Sequence, residues 1–218
     1  MAHSSLSAAV ALALATAATL AGCAPSTTSA SSAARATVAG ATSGFDEGRS
    51  GRYHSARFEL SLVLPGGKEW TVDDHRGPEL IATHAPTASR LTLRVFELNE
   101  LTNRQRCELE ARARSLVPAT LSLLDESDGG GPPDFDTHVV VGLAPPPAST
   151  SASADKAPIT GHVLAFAARV RRCLVFDFSA TVPAGAEATL GDRLAVGTTR
   201  ILPTVQLDSS TPVRSPGR

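Results

Sequence analysis

Three cysteines, six histidines and a single tryptophan are the residues of this 218-residue chain with the most chemistry to offer. The thiols of Cys23, Cys107 and Cys173 can be alkylated, oxidised to a disulfide or, as thiolates, bind a soft metal. They lie too far apart in sequence for a CxxC redox or zinc motif. His75 and His84 fall on neighbouring strands of an expected hairpin, with Asp73 and Asp74 beside the first; His138 and His162 fall on two later strands. Either pair, if it met across its strands, would offer a metal or acid–base site; the plainer reading makes all four surface residues near strand ends. Trp70 reads as a core or edge-packing residue, with a ligand platform as the alternative. The acidic, glycine-rich stretch Asp125 to Asp136 invites a calcium reading, but the register fails. With Gly130 as the sixth residue of a calcium loop, Ser127 and Gly129 take the third and fifth places, and Asp136 stands where Glu is needed. It reads as a solvated turn. The chain has no HExxH helix, GxSxG elbow or P-loop, so no catalytic residue, metal or cofactor is assigned.

What precedes Cys23 bears on where these groups sit. The run Ser4 to Gly22 is uncharged, rich in Ala and Leu, and ends in small residues, as a secretory signal peptide does. Its last residues with the cysteine, Leu20-Ala21-Gly22-Cys23, resemble the bacterial lipoprotein signal. In that family the thiol receives diacylglycerol, the peptide is cut before the cysteine, and the new amino terminus is acylated. The resemblance implies residues 1–22 as signal peptide, Cys23 as lipid attachment site and the bacterial cell envelope as location. Ala24 in place of the Asp that marks inner-membrane retention implies the outer membrane. An uncleaved anchor, or a plain signal peptide with an incidental Cys, are the other readings. Acyl chains bury about 0.8 kcal/mol per methylene, so two or three hold a protein on a membrane without a spanning helix.

The elements that must position the remaining groups follow in order. Residues 23–56 are dominated by Ser, Thr, Ala and Gly and read as a flexible tether. Residues 57–207 are of a length for one domain, and 208–218 read as a loose tail. Phe58 to Leu64 alternates as a strand, and Pro65-Gly66 supplies a type II turn into a return strand, Glu69 to His75. Leu80 to His84 and Arg90 to Leu98 continue what reads as a four-stranded meander. Thr102 and Gln105 form a capping box for a helix from Asn103 to Val117, ended by Pro118. On it Leu109, Ala113, Leu116 and Val117 form an apolar stripe, Cys107, Ala111 and Ser115 a small-residue side, and Glu108–Arg112 and Glu110–Arg114 favourable pairs. Asp136 to Leu143 reads as a strand, Ala144 to Pro158 as a disordered loop, and Ile159 to Val170 and Cys173 to Val182 as long strands turning between Ala168 and Arg172. Glu187 to Leu202 reads as a second helix.

This order predicts an α+β domain: an antiparallel sheet of about six or seven strands packed with two main helices. The opening FELSLVLPGGKEW, then a meander and a helix, resembles the PsbP/Mog1-like family, including the DcrB-type envelope lipoproteins. That resemblance implies a sandwich of sheet and helices, and an accessory or binding role without a shared catalytic site. A formal net charge of −1 gives no reason to expect nucleic-acid binding. The expected partners are the membrane, through lipid on Cys23, and an envelope protein or ligand. The alternative is a small hydrolase or metal-dependent enzyme with a site assembled from distant residues. If lipid takes Cys23, two cysteines remain in an oxidising compartment, where an even remainder pairs; this predicts a Cys107–Cys173 disulfide, with two buried free thiols as the alternative.

Overall fold

The structure, a computed structural model, describes residues 43–46, 51–145 and 157–208. Cys23, the signal peptide, most of the tether, residues 146–156 of the expected disordered loop and the tail beyond Asp208 lie outside the described residues. The folded part begins earlier than the tether boundary at residue 56. Strand β1 (Gly44–Phe45) pairs antiparallel with β2 (Arg52–Ser55), placing Phe45 against the Tyr53 ring at 5.1 Å. Composition hid them because only Phe45 and Tyr53 offer apolar bulk there.

Two antiparallel sheets form the α+β architecture that the sequence predicts. The smaller runs β1-β2-β3-β11, with β3 at Leu60–Val63 and β11 at Gln206–Leu207. The larger runs β4-β5-β6-β10-β9-β8-β7. Its strands are β4 (Trp70–Asp73), β5 (Leu80–His84), β6 (Ser89–Glu97), β7 (Ser122–Asp128), β8 (Asp136–Leu143), β9 (Ile159–Arg169) and β10 (Arg172–Val182).

The expected hairpin at Pro65 does not form. Gly66 does take the left-handed place of a type II turn, at φ 90° and ψ −10°. Gly67 is also left-handed at φ 55°, and a 3-10 turn over Gly67–Glu69 then carries the chain from the small sheet to the large one. Thus β3 pairs with β2 and β11, while β4 pairs only with β5, and the meander is β4-β5-β6. The second difference is β7: Asp125 to Asp128 are strand residues rather than loop. Every residue of β7 is exposed, so no alternation of apolar and polar side chains marks it.

The central strands β9 and β10 are buried on both faces, which is why their sequences read as long apolar runs. One face, with Ala165, Leu174, Phe176 and Phe178, packs on Leu60, Leu62 and Leu64 of the small sheet side and on helix α2 (Glu187–Val196). After Val196, α2 loosens into a π-turn, Gly197–Ile201, and a 3-10 turn, Leu202–Thr204, so it is not the continuous helix expected to Leu202. A Cβ at Gly197 would stand 2.6 Å from Cδ1 of Phe178, and the bare backbone is what lets the helix end settle on that ring. The other face, with Phe166, Cys173 and Val175, is covered by helix α1 (Arg104–Ala113).

Helix α1 turns its small side inward. Cys107 and Ala111 are buried and Leu109 is 57% exposed, the orientation that a bond from Cys107 to Cys173 requires. Close approach of helix to sheet needs the short side chains. The cap is Asn103, whose side chain accepts from the Arg106 N–H at 2.9 Å, not Thr102. The helix stops before Pro118 because Ser115 is left-handed, and Leu116 N–H bonds back to the Ala111 carbonyl at 2.9 Å as in a Schellman ending. The Glu108–Arg112 and Glu110–Arg114 pairs form as expected, at 2.7 and 3.4 Å. So does the Cys107–Cys173 disulfide, with Cα atoms 5.5 Å apart and a sequence separation of 66.

Candidate functional site

The described histidines are dispersed. In β4–β5 the register sets His84 opposite Trp70, and His75 lies past the end of β4, so the first candidate pair does not meet. His138 stands opposite Phe166, and His162 opposite Gly142, so the second does not meet either. A spacing argument could not see this, because register is set by pairing over long sequence distances. Each has instead found a carboxylate. His84 Nε2 lies 3.1 Å from Glu69, His75 Nε2 3.1 Å from Asp74, and His162 Nδ1 2.8 Å from Asp177. His138 sits between Asp128 and Glu126, at 3.1 Å from each. Among the described residues no group of three or more His, Cys, Asp or Glu is placed to hold a metal ion. The acidic stretch serves α1: Asp128 and Asp136 both bond Arg104, at 2.8 Å each.

Among the described residues, the two groups with clearly displaced pKa values form a node that sequence reading missed. Asp74, fully buried at the end of β4, accepts from Ser55 Oγ of β2 at 2.8 Å. Burial alone would push its carboxyl up, but hydrogen bonds from Ser43, Ser55 and Tyr53 and the neighbouring His75 outweigh that and hold it below 3.8. Tyr53 is driven the other way: burial first, then the Asp74 charge and the hydrogen bond to it, raise its phenol well above 10. The Arg57 guanidinium donates to the Asp74 backbone carbonyl at 3.0 Å. These contacts tie β2 of the small sheet to β4 of the large one, a structural role for a buried charge.

Tyr53 is the only tyrosine, so its ionisation can be followed directly by tyrosinate absorbance. Its folded pKa is raised, so its contribution to stability is present below pH 10 and is lost as pH rises past 10, where the unfolded chain releases the proton first. The expected result is a titration shifted well above that of the urea-unfolded chain, and pulled back toward it by Asp74→Asn. Coincident folded and unfolded titrations would show the phenol to be solvated.

The arrangement best suited to engage another molecule lies where β6 and β9 end and β10 begins. Two cavities, about 460 and 250 Å³, share Glu97 and Arg172 as a common wall. Arg172 bridges Glu59 through Nη2 and Glu97 through Nε, each at 3.2 Å. The larger cavity adds Arg169, Val170, Arg171 and Asp208; the smaller adds Arg57, Phe58 and Phe96. Two connections that frame this groove hold non-glycine residues in left-handed backbone: Glu59 at φ 50° and Val170 at φ 58°. For a β-branched residue this is an outlier, and the surrounding bonds hold it. Thr102 N–H donates to the Val170 carbonyl and Leu98 N–H to that of Arg171, both at 2.8 Å. The Arg171 Nε returns to the Leu98 carbonyl at 3.0 Å. The result is a rigid tip on which Val170 is 65% and Leu101 78% exposed, flanked by Arg169 and Arg171. The turn falls within Ala168 to Arg172 as expected, but neither Gly nor Asn announces it.

No family model matches the chain, and no curated protein matches its sequence. Solved structures similar to it include a protein of Bacteroides thetaiotaomicron, with a TM-score of 0.41 and 13% identity, covering 74% of this chain and 50% of that one. The chain thus spans half the length of that relative. Another is the Saccharomyces cerevisiae Ran-binding protein Mog1p, with a TM-score of 0.39 and 6% identity, over 62% of this chain and 78% of that one. A mutant of protein Mog1 gives 0.40 and 7%, over 70% and 92%.

Proposed function

We propose that the chain is a non-catalytic binding or accessory module of the bacterial cell envelope, held to the membrane by lipid on Cys23. It engages a protein partner through the groove at the β9–β10 tip. The observation that carries this reading is the braced, left-handed Val170: a strained, exposed apolar residue is retained at a hairpin tip where Gly or Asn would be relaxed. With Leu101 it offers a small exposed apolar contact beside Arg169 and Arg171, and Arg is a residue enriched at interfaces. The anchor is supported by the Leu20-Ala21-Gly22-Cys23 signal and by the paired cysteines of an exported domain. Among the described residues no helix is long and apolar enough to cross a membrane.

Two measurements test it in the cell. Cys23→Ser is expected to move the chain from the membrane pellet to the soluble fraction; unchanged fractionation removes the lipid anchor from the reading. A photo-crosslinking residue at Val170 or Leu101 is expected to give one discrete adduct, absent with the same residue at exposed Leu109 on α1. Adducts of equal yield at all three positions would mean that the tip is ordinary surface.

A further inference from the structure

A third cavity, of about 150 Å³, lies on the other side of the molecule from the β9–β10 tip's turn residues and is lined by Pro65, Trp70, His84, Phe178, Arg193 and Val196, with Thr87 and Ser89. Its position follows from the crossing at Gly66-Gly67, which brings Trp70 opposite His84, and from α2, whose Arg193 and Val196 share one face three residues apart. The walls are rings and aliphatic carbons. Trp70 and His84 stand with ring centroids 5.0 Å apart.

Most polar atoms of the lining are already spoken for. The Trp70 Nε1–H donates to the Pro65 carbonyl at 2.7 Å. His84 has Thr87 Oγ1 at 2.7 Å on one nitrogen and Glu69 at 3.1 Å on the other, and Ser89 Oγ bonds Thr87 Oγ1 at 2.9 Å. Arg193 differs. Its Nη1 donates to the Thr181 carbonyl at 2.9 Å, which fixes the side chain, and its remaining donors have no hydrogen-bond or carboxylate partner among the described residues. A half-buried guanidinium with free donors beside an apolar cavity is matched by an anion carrying an apolar body. A cavity of this volume accommodates a benzene ring. The helix carrying Arg193 passes directly into the π-turn Gly197–Ile201, a distortion that recurs at functional sites.

We propose that this cavity binds a small arylcarboxylate, with the ring against Trp70 and Phe178 and the carboxylate on Arg193. The site is separate from the groove, and its test does not depend on the partner-binding reading.

Trp70 is the only tryptophan, so the intrinsic fluorescence of the full chain reports on this cavity. Titration with phenylacetate is expected to give a saturable change. Phenethyl alcohol, its neutral counterpart, is expected to bind about 10-fold more weakly, the difference that one charge-assisted hydrogen bond makes. Arg193→Gln should bring the two affinities together, and Arg193→Lys, which keeps the charge, should retain the preference. Val196→Phe should fill the cavity and abolish saturation by both ligands, with the melting temperature reporting that the fold is kept. A change linear in phenylacetate, or equal affinity for acid and alcohol in the parent chain, overturns the proposal.

Discussion

Replacing Cys107 and Cys173 together with Ser is expected to lower stability by about 4 kcal/mol, the chain-entropy value for closing a loop of this length. In a domain of this size that corresponds to a fall in melting temperature of roughly 10 °C. The reason lies mainly in the unfolded chain. The bond joins α1 to β10 across a sequence separation of 66, and cutting it frees β7, β8 and β9 to explore conformations that the cross-link forbids. Both sulfurs are buried between helix and sheet, with Thr102 Oγ1 as their nearest polar neighbour at 3.8 and 4.0 Å, so two serines in their place would also carry hydroxyls into an apolar layer. Comparing the double Ser with a double Ala variant separates that penalty from the cross-link. The covalent state itself is read by alkylating the unreduced, denatured protein: no label at these positions is expected. Labelling of both would mean two free thiols.

Asp74→Ala is expected to cost about 1 to 3 kcal/mol, because it leaves buried hydroxyl donors without their acceptor. Ser55, itself buried, loses its acceptor at 2.8 Å. Asp74→Asn keeps the shape and one acceptor oxygen and should cost less. Because the folded pKa of Asp74 lies below the unfolded 3.8, its contribution is present above that pH and disappears as pH falls through the folded value. Denaturant unfolding across the acid range should therefore show a slope in the parent chain that flattens in Asp74→Asn. An unchanged slope, or a loss under about 1 kcal/mol in Asp74→Ala, would show that the node is solvated and that the two sheets are joined by apolar packing alone.

The groove and the arylcarboxylate cavity were hard to see in sequence for different reasons. Val170 and Arg171 carry no turn signal, since a β-branched residue in left-handed backbone contradicts the propensity by which turns are recognised. Arg193 reads as an ordinary solvated helix residue until the tertiary structure puts Trp70, His84 and Phe178 beside it. Trp70 itself is buried, as expected of a core residue, and still lines a cavity.

Sequence by itself determined the local periods and their chemistry. The bounds of Leu80–His84 and Asp136–Leu143, the ion pairs of α1, the left-handed Gly66 and the partner of Cys107 were all legible there. Each depends on residues within one element or on counting groups that must pair. Tertiary structure alone decided which sheet β3 and β4 join, that the exposed residues of β7 form an edge strand, and that the histidines stand apart. Those outcomes rest on backbone hydrogen bonds that are indifferent to side-chain identity. A period along the chain fixes which residues share a face; it carries no information about what that face will meet.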